Sequence, residues 1–384
     1  MQLILDEDQT MLAQTAGAFF NEHSPISRFR ALRDGDDSRR YSLELYRQMA
    51  ELGWTAIPFS EADGGLGLGL ASMIVVTEAA GRTLAPEPLL ESVMMAGQAL
   101  SLAGNAAQKE RWLTPLIAGE SVLALAHSEP ASRYDLSRIE LQASADGDGY
   151  RLQGRKLHVL GGAQADAFVV AARSAGQAGE REGISLFIVP ADAAGVKVQA
   201  QGRVDSRNAA ILELESVRVD GDALLGELGA GHGVLETAID RATVALCGEM
   251  LGGMNAAFEM TLDYLKERKQ FDTVIGTFQA LKHRAARMFI ELELARSVAM
   301  AAARALDAEN GHADPQARSL VSLAKAKLSE AYCLIANEAV QMHGGIGMTD
   351  EHDIGFYMKR ARASEMTFGD AAFHRDRFAS LGGY

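Results

Sequence analysis

Three blocks of hydrophobic and polar patterning follow one another along the chain. From about residue 6 to residue 120, apolar residues recur every three or four positions, as on one face of a helix. From about 122 to 225, short runs alternate apolar and polar residues and are separated by glycine- and proline-containing turns. From about 230 the helical spacing returns. The pattern predicts helices, then a block of strands, then long helices, which is an α+β arrangement.

Individual elements can be placed within these blocks. The strand pattern covers GYRLQGRKLHVLGG, DAFVVAAR, GISLFIVP, GVKVQA and AAILELESVRV. Long C-terminal helices are predicted from near Val234 to Lys269, from just after Thr277, and from the capping pair Asp314–Pro315 to Gly344–Gly345. We therefore expect three domains, at residues 1–120, 121–227 and 228–384.

Composition narrows the classes of function. The 384 residues are 48% hydrophobic, enough for a substantial core, and their formal charge of −14 argues against nucleic-acid binding. The N-terminus MQLILDEDQT lacks the features of a signal peptide, and the apolar stretch LASMIVV is too short to span a membrane. Cys247 and Cys333 lie in apolar helical segments and are expected to be buried thiols without a disulfide. We expect a soluble cytoplasmic protein that binds neither nucleic acid nor membrane.

The glycine-rich stretch EADGGLGLGL, residues 61–70, has some likeness to a dinucleotide-binding loop. No apolar strand precedes it, and no acidic residue follows at the distance that a βαβ nucleotide site requires. We interpret it as a loop between helices.

Five segments together resemble the acyl-CoA dehydrogenase family. They are ELGWTAIPFSEADGGLGLGL, LAHSEPASRYDL, GRKLHVLGGAQAD, LKERKQFDTVIGTFQALKHRAARM and QMHGGIGMTDEH, in the order that the family has them. The resemblance implies an N-terminal helical domain, a middle β-barrel-like domain and a C-terminal four-helix bundle, assembled as a tetramer. It also implies FAD as cofactor, an acyl-CoA as substrate and an electron-transfer flavoprotein as electron acceptor.

The family's chemistry is the α,β-dehydrogenation of an acyl-CoA thioester. A carboxylate removes the weakly acidic α-proton, and FAD supplies the oxidising power by accepting hydride from the β-carbon. One subunit holds the flavin ring and the substrate, while a neighbouring subunit reaches across to hold the pyrophosphate and adenine. The two halves of the site therefore draw on different parts of the chain.

By this resemblance, the chain keeps the residues that hold the nucleotide portion of FAD, which we call the nucleotide half-site. They are Arg268 for the pyrophosphate, Phe271 beside the cofactor, Gln279 and Gln341 as amide contacts, and Gly344 and Gly345 as bare backbone. A guanidinium fork suits phosphate oxygens, and glycine lets a cofactor approach the backbone closely. Taken alone, the arginine would also suit a solvated helix end, and the glycines a helix C-cap.

The residues that would hold the flavin ring, the ring half-site, depart from the family pattern. Ala131–Tyr134, that is Ala131, Ser132, Arg133 and Tyr134, stands where the family has a small Gly-Ala-Gly-Ser stretch. His158 replaces a tryptophan beside the flavin, and Leu160 replaces a hydrogen-bonding threonine. Ser128 keeps the hydroxyl of one further position. The resemblance thus implies a ring pocket that is partly lost, and a lone histidine on a strand is more often structural than catalytic.

The position of the family's catalytic glutamate is Phe368, whose ring can neither give nor take a proton. Some relatives carry the base on the long helix instead, and the matching residue here is Ala242. Glu249 and Asp370 are weak candidates for a displaced base, although Asp370 suits the N-cap of the last helix better. The catalytic residue therefore stays unknown, and we assign no metal site.

These features leave four interpretations open. The first is a catalytically degenerate subunit that completes the FAD site of a paralogous subunit in an α2β2 assembly, because FGDAAFHR resembles one subunit type of heteromeric enzymes of steroid and sterol side-chain degradation. The second is a self-sufficient homotetramer with another base. The third is a flavin-dependent monooxygenase, which needs no carboxylate base. The fourth is a scaffold or acyl-CoA-binding protein, which would have no use for the retained nucleotide half-site.

Overall fold

The computed structural model describes residues 4–308 and 311–384. Within these residues the chain forms two compact units that alternate along the sequence. The first unit comprises Met1–Ala31, Gly69–Ala85 and Thr243–Tyr384, and the second comprises Leu32–Leu68 and Pro86–Ala242.

Helices fill the N-terminal and C-terminal blocks, as the apolar spacing predicts. The N-terminal α-helices are α1 Glu7–His23, α2 Ile26–Asp34, α3 Leu43–Glu51, α4 Gly69–Arg82, α5 Gln98–Ala103, α6 Ala106–Gln108 and α7 Thr114–Ile117, with π-helical segments at Leu89–Gly97 and Lys109–Leu113. The C-terminal α-helices are α8 Gly231–Glu267, α9 Gln279–Asp307, α10 Pro315–His343, α11 Ile354–Met366 and α12 Ala371–Leu381. Short 3-10 turns lie at Glu61–Asp63, Gly162–Gln164, Gly221–Ala223, Ile275–Thr277 and Gly344–Met348.

Capping residues explain where several helices begin. Asp6 accepts a hydrogen bond from the Gln9 N–H and so caps α1. Asp314 caps α10 ahead of Pro315, as the sequence predicts.

The N-terminus of α4 is capped from a distance. The Asp307 carboxylate of α9 accepts hydrogen bonds from the backbone N–H groups of Leu70 and Ala71, at 2.7 and 2.9 Å. A Cβ on Gly69 would lie 2.7 Å from that carboxylate, so the last glycine of EADGGLGLGL makes room for this cap. The predicted interhelical loop is therefore confirmed, with a packing reason for its glycine.

In the first unit, α4 and α8 approach backbone to backbone. A Cβ on Gly81 would lie 2.1 Å from the Glu249 carbonyl oxygen, and one on Gly252 would lie 1.9 Å from the Glu78 carbonyl oxygen. Glycine at both positions lets the two helices touch directly. The long helices α9, α11 and α12 pack against α10, which forms the centre of the unit.

The second unit is built on an eight-stranded sheet. Its strands are β1 Leu123–Ala126, β2 Gln142–Asp146, β3 Gly149–Leu160, β4 Ala167–Arg173, β5 Ile184–Pro190, β6 Val196–Ala200, β7 Ala209–Asp220 and β8 Leu224–Leu225. The order is β6-β7-β3-β2-β4-β5-β8, with β1 paired in parallel to β4. A separate hairpin in the first unit joins β9 Lys269–Gln270 to β10 Thr273–Val274. The expected fold class is confirmed.

Side-chain burial accounts for the strand pattern. All of β4 and nearly all of β5 is buried, which explains why their sequences are continuously apolar. Phe168, Phe187, Leu152 and Leu212 belong to the core of this sheet.

Both cysteines are free thiols, and one of the two predictions about their burial is wrong. Cys247 is buried, and burial raises the pKa of its thiol to about 12. Cys333 is only half-buried, because it lies on a face of α10 where its Sγ contacts the Glu365 carboxylate at 3.4 Å. In the described residues, no helix is both long enough and apolar enough to cross a bilayer.

Candidate functional site

Arg268, the predicted pyrophosphate ligand, directly follows the C-terminus of α8. Its backbone is fixed, since its N–H donates to the Tyr264 carbonyl and its own carbonyl accepts from the Ile275 N–H. Its side chain is exposed and has no hydrogen-bond or ion-pair partner within residues 4–308 and 311–384. The backbone of Arg268 is therefore held in place, while its guanidinium is exposed and available to a ligand.

Phe271 lies at the tip of the β9–β10 hairpin. Phe271 and Asp272 both have positive φ, +55° and +59°, a conformation that hairpin turns usually give to asparagine or glycine. The ring is 87% exposed and contacts Phe278 edge-on, with centroids 6.1 Å apart. The exposed ring is therefore available for contact with a molecule outside the chain.

Gln279 is the first residue of α9 and is exposed. The preceding N-cap residue, Phe278, makes no side-chain hydrogen bond to the helix. The leading N–H groups of this 29-residue helix thus lack a side-chain acceptor. Together with the helix dipole they favour an anion at this end.

Gln341, Gly344 and Gly345 lie where α10 ends. The Gly344 N–H donates to the Gln341 carbonyl, and Gly344 has φ +66° and ψ −141°, which glycine alone adopts readily. A Cβ on Gly344 or Gly345 would meet nothing within 4 Å, whereas one on Gly347 would lie 2.7 Å from the Val340 carbonyl oxygen. The chain's own packing therefore explains Gly347 but leaves open space beside Gly345.

An ion pair brings the two parts of the nucleotide half-site together. Arg284, in the second turn of α9, bonds the Glu338 carboxylate, which lies one turn before the end of α10. The N-terminus of α9 and the C-terminus of α10 are thus neighbours.

A buried histidine that the sequence analysis did not single out supports this end of α10. His343 contacts the Ala339 carbonyl through Nδ1 at 2.7 Å, and its ring packs against Tyr264 and His352. Burial lowers the pKa of His343, which favours the neutral ring. The contact with Tyr264 ties α10 to the end of α8, next to Arg268. A histidine directly before two glycines was the available sequence signal.

In the second unit, the strand motif of the ring half-site contains a buried ion pair. The Lys156 amine of β3 donates to Glu129 Oε1 at 2.5 Å, and the same carboxylate accepts the N–H groups of Glu140 and Leu141. Both side chains are almost completely buried. Burial lowers the pKa of Lys156, and the nearby carboxylate opposes that shift. The pair is structural, because the carboxylate is fully engaged within the chain.

The remaining residues of the ring half-site differ in exposure. Ser128 is half-buried, and its carbonyl accepts the Leu157 N–H. Arg133 is exposed at φ +47°, with its guanidinium 5.5 Å from the Tyr134 ring. His158 is exposed at φ +52° on a β-bulge, while Leu160 is buried.

A neighbouring histidine, His127, also escaped the sequence analysis. It directly follows β1, and its carbonyl lies 3.4 Å from the Lys156 amine. Burial, with a smaller contribution from the Lys156 charge, lowers the pKa of His127 to about 4. The ring is therefore neutral at physiological pH.

Phe368 lies in the turn Thr367–Asp370, which we call the base turn, between α11 and α12. Its φ is +61°, and Gly369 follows at +124°. Two buried side chains hold the successive carbonyls of this turn: His374 Nε2 lies 3.2 Å from the Phe368 oxygen, and Lys325 Nζ lies 2.7 Å from the Gly369 oxygen. A Cβ on Gly369 would lie 2.4 Å from the Phe373 ring. The base turn is thus fixed from inside the first unit.

Burial also sets the charge of these two side chains. It lowers the pKa of Lys325 to about 8, and the pKa of His374 to about 3, with Lys325 adding to the second shift. His374 is therefore neutral, so its Nε2–H donates to Phe368, and Nδ1 faces the Ser322 hydroxyl at 3.3 Å. Neither group provides a base at the surface of the turn.

The two weak candidates for a base are already engaged. Asp370 caps α12, as expected, by accepting the Phe373 N–H at 2.9 Å. Glu249 is buried and accepts from the Arg360 guanidinium at 2.8 Å. Ala242 is completely buried on α8. Among the described residues, no cluster of histidine, cysteine, aspartate or glutamate could hold a metal ion.

Family models decide how this geometry is to be understood. Models of the N-terminal, middle and C-terminal domains of acyl-CoA dehydrogenases match residues 6–120, 124–217 and 229–380. The chain belongs to the acyl-CoA dehydrogenase family. It is 30% identical to the acyl-CoA dehydrogenase FadE27 of Mycobacterium tuberculosis over 336 residues, which are 87% of this chain and 86% of that protein.

Two solved structures of family-like fold cover nearly the whole chain. The ChsE4–ChsE5 complex from Mycobacterium tuberculosis contains a chain that is 27% identical, with a TM-score of 0.88 over 100% of this chain and 99% of that one. A variant of the Tcur3481–Tcur3483 steroid acyl-CoA dehydrogenase contains one that is 30% identical, with a TM-score of 0.84 over 98% of each chain.

FAD is the cofactor of this acyl-CoA dehydrogenase family member, and the nucleotide half-site fits it. The open side of Gly345, the uncapped N-terminus of α9 and the exposed Arg268 guanidinium all suit an anionic nucleotide. The ring half-site fits less well, because the buried Leu160 side chain has no hydrogen-bond donor. The residues expected at the two half-sites therefore differ in how well they suit FAD.

Proposed function

We propose that this chain is the base-lacking subunit of a heteromeric acyl-CoA dehydrogenase, in which it completes the FAD site of a paralogous subunit. The observation that carries the proposal is the base turn. Phe368 occupies the position of the family's glutamate, and the turn around it is held by Lys325 and His374. The turn is held from within the chain and has a phenyl ring at the position of the family's carboxylate, which indicates an altered role rather than a displaced side chain.

The work of catalysis is divided in this proposal. Arg268 and the N-terminus of α9 bind the pyrophosphate of FAD, and Gly345 lets the nucleotide lie against the backbone. The paralogous subunit supplies the glutamate that removes the α-proton and the pocket for the flavin ring. FAD supplies the oxidising power for the dehydrogenation.

The partner and substrate class find support in the two structural neighbours. Each is named as a pair of different proteins, and one is named as a steroid acyl-CoA dehydrogenase. We infer an α2β2 tetramer that acts on an acyl-CoA, with a steroid-bearing acyl group as the first to try. An electron-transfer flavoprotein is the expected electron acceptor, and the cytoplasm is the expected location.

The absorption spectrum of the purified protein tests the proposal directly. Purified alone, the chain should contain little flavin, because its ring half-site is incomplete. Co-expressed with a paralogous subunit that has the glutamate, it should co-purify as a yellow complex that an acyl-CoA bleaches. A yellow homomer that an acyl-CoA bleaches without any second subunit would contradict the proposal and favour a self-sufficient enzyme.

A further inference from the structure

Two histidine rings lie in contact beside the nucleotide half-site. His343 is the last residue of α10, and its ring centroid lies 4.4 Å from that of His352 and 4.6 Å from that of Tyr264. His343 is almost completely buried, and His352 is half-buried. Because Tyr264 belongs to α8 and His352 lies just before α11, the three rings join the end of α8, the end of α10 and the start of α11.

This stack of rings supports two parts of the nucleotide half-site. The Tyr264 carbonyl accepts the Arg268 N–H at 2.9 Å, and the turn Gly344–Met348 directly follows His343. The backbone of Arg268 and the start of the turn therefore depend on the same three rings.

His352 acts as a hydrogen-bond acceptor in this stack. Its Nδ1 lies 3.2 Å from the Ile354 nitrogen and accepts that backbone N–H at the N-terminus of α11. A peptide N–H can only donate, so Nδ1 carries no proton and the ring is the neutral tautomer with its proton on Nε2. Protonation of Nδ1 would break this bond and would place a positive charge at the positive end of the helix dipole.

His343 is neutral as well. Its Nδ1 lies 2.7 Å from the Ala339 carbonyl oxygen, so Nδ1 carries the proton that this contact needs. Burial lowers the pKa of His343 and the charge of His352 adds to that shift, while the carbonyls of Ala339 and Met260 oppose it. Burial also lowers the pKa of His352, and the Asp353 carboxylate opposes that shift. A proton on either ring therefore disfavours a proton on the other.

The loop that contains His352 is held from a second side. Arg30 of α2 donates to the Asp350 carbonyl at 2.6 Å and to the Asp353 carboxylate at 2.5 Å. Apart from the two rings themselves, Asp353 is the one charged side chain of the described residues whose charge acts on the pair. Its pairing with Arg30 reduces the stabilisation that it could give to a protonated His352.

We propose that His343 and His352 are positioning residues of the nucleotide half-site and form a pH-sensitive switch. As neutral rings they hold the turn Gly344–Met348 in place, and on protonation they release it. Two protonated rings in contact repel each other, and a protonated His352 no longer accepts the Ile354 N–H.

This inference adds regulation by pH to the proposed function, and it rests on that function for the identity of the ligand, the nucleotide portion of FAD. The switch itself consists only of contacts within this chain. Release of the turn would move the bare backbone of Gly344 and Gly345 away from the nucleotide, so FAD should be retained less well in acid.

Hydrogen exchange of the isolated chain tests the switch without cofactor or partner. From pH 7.5 to pH 5.5, the protection of the amides in residues 344–353, corrected for intrinsic exchange rates, should fall by about tenfold for each histidine that the opened segment protonates. The sign follows because the opened segment regains the ordinary pKa of 6.5, whereas the closed segment has lower pKa values. His352→Asn keeps an acceptor for the Ile354 N–H but cannot titrate, so it should flatten this profile.

Two further variants separate the switch from general effects of acid. His352→Lys places a permanent charge at the same position and should lower the protection already at pH 7.5. His312→Asn, at an exposed histidine before α10, is the control and should keep the wild-type profile. His374 is present in every variant, so its own response to acid cancels from the comparison.

Circular dichroism checks that each variant is folded. A profile for folded His352→Asn that is as steep as that of the wild type would overturn the proposal. Protection of residues 344–353 that does not change between pH 7.5 and pH 5.5 in the wild type would overturn it as well.

Flavin binding in the co-purified complex is measured separately. The Kd of FAD should rise about tenfold from pH 7.5 to pH 5.5 in the wild type and by less in His352→Asn, because binding to the closed turn excludes the proton. A complex that never contains flavin would contradict the proposed function and leave the exchange result standing. An unchanged Kd while the turn opens in acid would overturn the positioning role.

Discussion

Two turns of the first unit differ in how their polar groups are satisfied. One is the turn Gly344–Met348 after α10, which we call the glycine turn, and the other is the base turn after α11. Each follows a helix, and each contains at least one residue with positive φ: Gly344 in the first, Phe368 and Gly369 in the second. Beside Gly345 there is open space, and the nearby Gln341 is exposed, whereas the base turn is held from within by Lys325 and His374. The glycine turn therefore has space and an exposed amide available to a molecule outside the chain. In the base turn, the carbonyls of Phe368 and Gly369 are hydrogen-bonded within the chain, and residue 368 has a phenyl ring.

The largest effect should come from the buried ion pair of the ring half-site. Glu129→Ala leaves the Lys156 amine buried without its carboxylate and also orphans two backbone N–H groups. We expect the free energy of unfolding to fall by about 3–5 kcal/mol in urea titrations. The exposed pair of Lys197 and Glu215 is the control, and Glu215→Ala should cost less than about 1 kcal/mol. Equal losses would show that the buried pair is not the structural centre of this motif.

Burial of His374 beside the base turn should make the free energy of unfolding decrease as the pH falls. Burial lowers the pKa of His374 to about 3 in the folded protein, below its ordinary value of 6.5. Between those values the unfolded chain binds one more proton, so stability should fall as the pH falls, by about 1.4 kcal/mol per pH unit from this residue. His374→Gln should reduce that slope in urea titrations between pH 6.5 and pH 4. An unchanged slope would mean that the buried ring is not the titrating group.

Substitution of Arg268 tests whether the nucleotide half-site binds FAD. In a complex with a paralogous subunit, Arg268→Ala should weaken FAD retention by about 1.5–3 kcal/mol, which is roughly 10- to 150-fold in Kd. Lys266→Ala is a matched control, because this exposed lysine lies two residues earlier and pairs with Asp263. Equal losses of flavin from both variants would reduce the role of Arg268 to general charge.

Alanine substitutions at two glycines of the glycine turn should distinguish an effect on FAD binding from an effect on stability. Gly345→Ala adds a Cβ that meets nothing in the chain, so the unfolding free energy should stay the same while FAD binding in the partnered complex weakens. Gly347→Ala should lower stability by about 1–3 kcal/mol, because its Cβ would lie 2.7 Å from the Val340 carbonyl oxygen. Thermal unfolding and flavin content, measured on both variants, distinguish the two cases. Loss of stability in Gly345→Ala would remove the argument for an external ligand there.

Local patterns in the sequence predicted the secondary structure well, whereas contacts between residues far apart in the sequence could not be predicted from them. Alternation and turn residues placed the strands β3 to β7 closely, and Asp314 and Asp370 were recognised as caps because capping is local. The pairing of Glu129 with Lys156 depends on which strands become neighbours, which no local pattern shows.

Two further features could not be predicted from the local pattern: the packing around the base turn and the π-helical form of one segment. The hold of Lys325 on the Gly369 carbonyl joins residues 44 positions apart, so it appears only when α10 and α12 are packed. The π-helical segment Leu89–Gly97 has the apolar spacing of an ordinary helix, and its different hydrogen bonding leaves no signature there.

Phe368→Glu asks whether the two turns differ in one residue or in their surroundings. The substitution places a carboxylate at position 368, where the backbone geometry is already set by Lys325 and His374. We nevertheless expect no dehydrogenation by the homomer, because the ring half-site still contains Leu160 and Arg133. The measurement is flavin content together with bleaching by an acyl-CoA, with Phe368→Gln as the uncharged control. Full flavin and turnover in the glutamate variant alone would show that the ring half-site is intact and that only the base was lost.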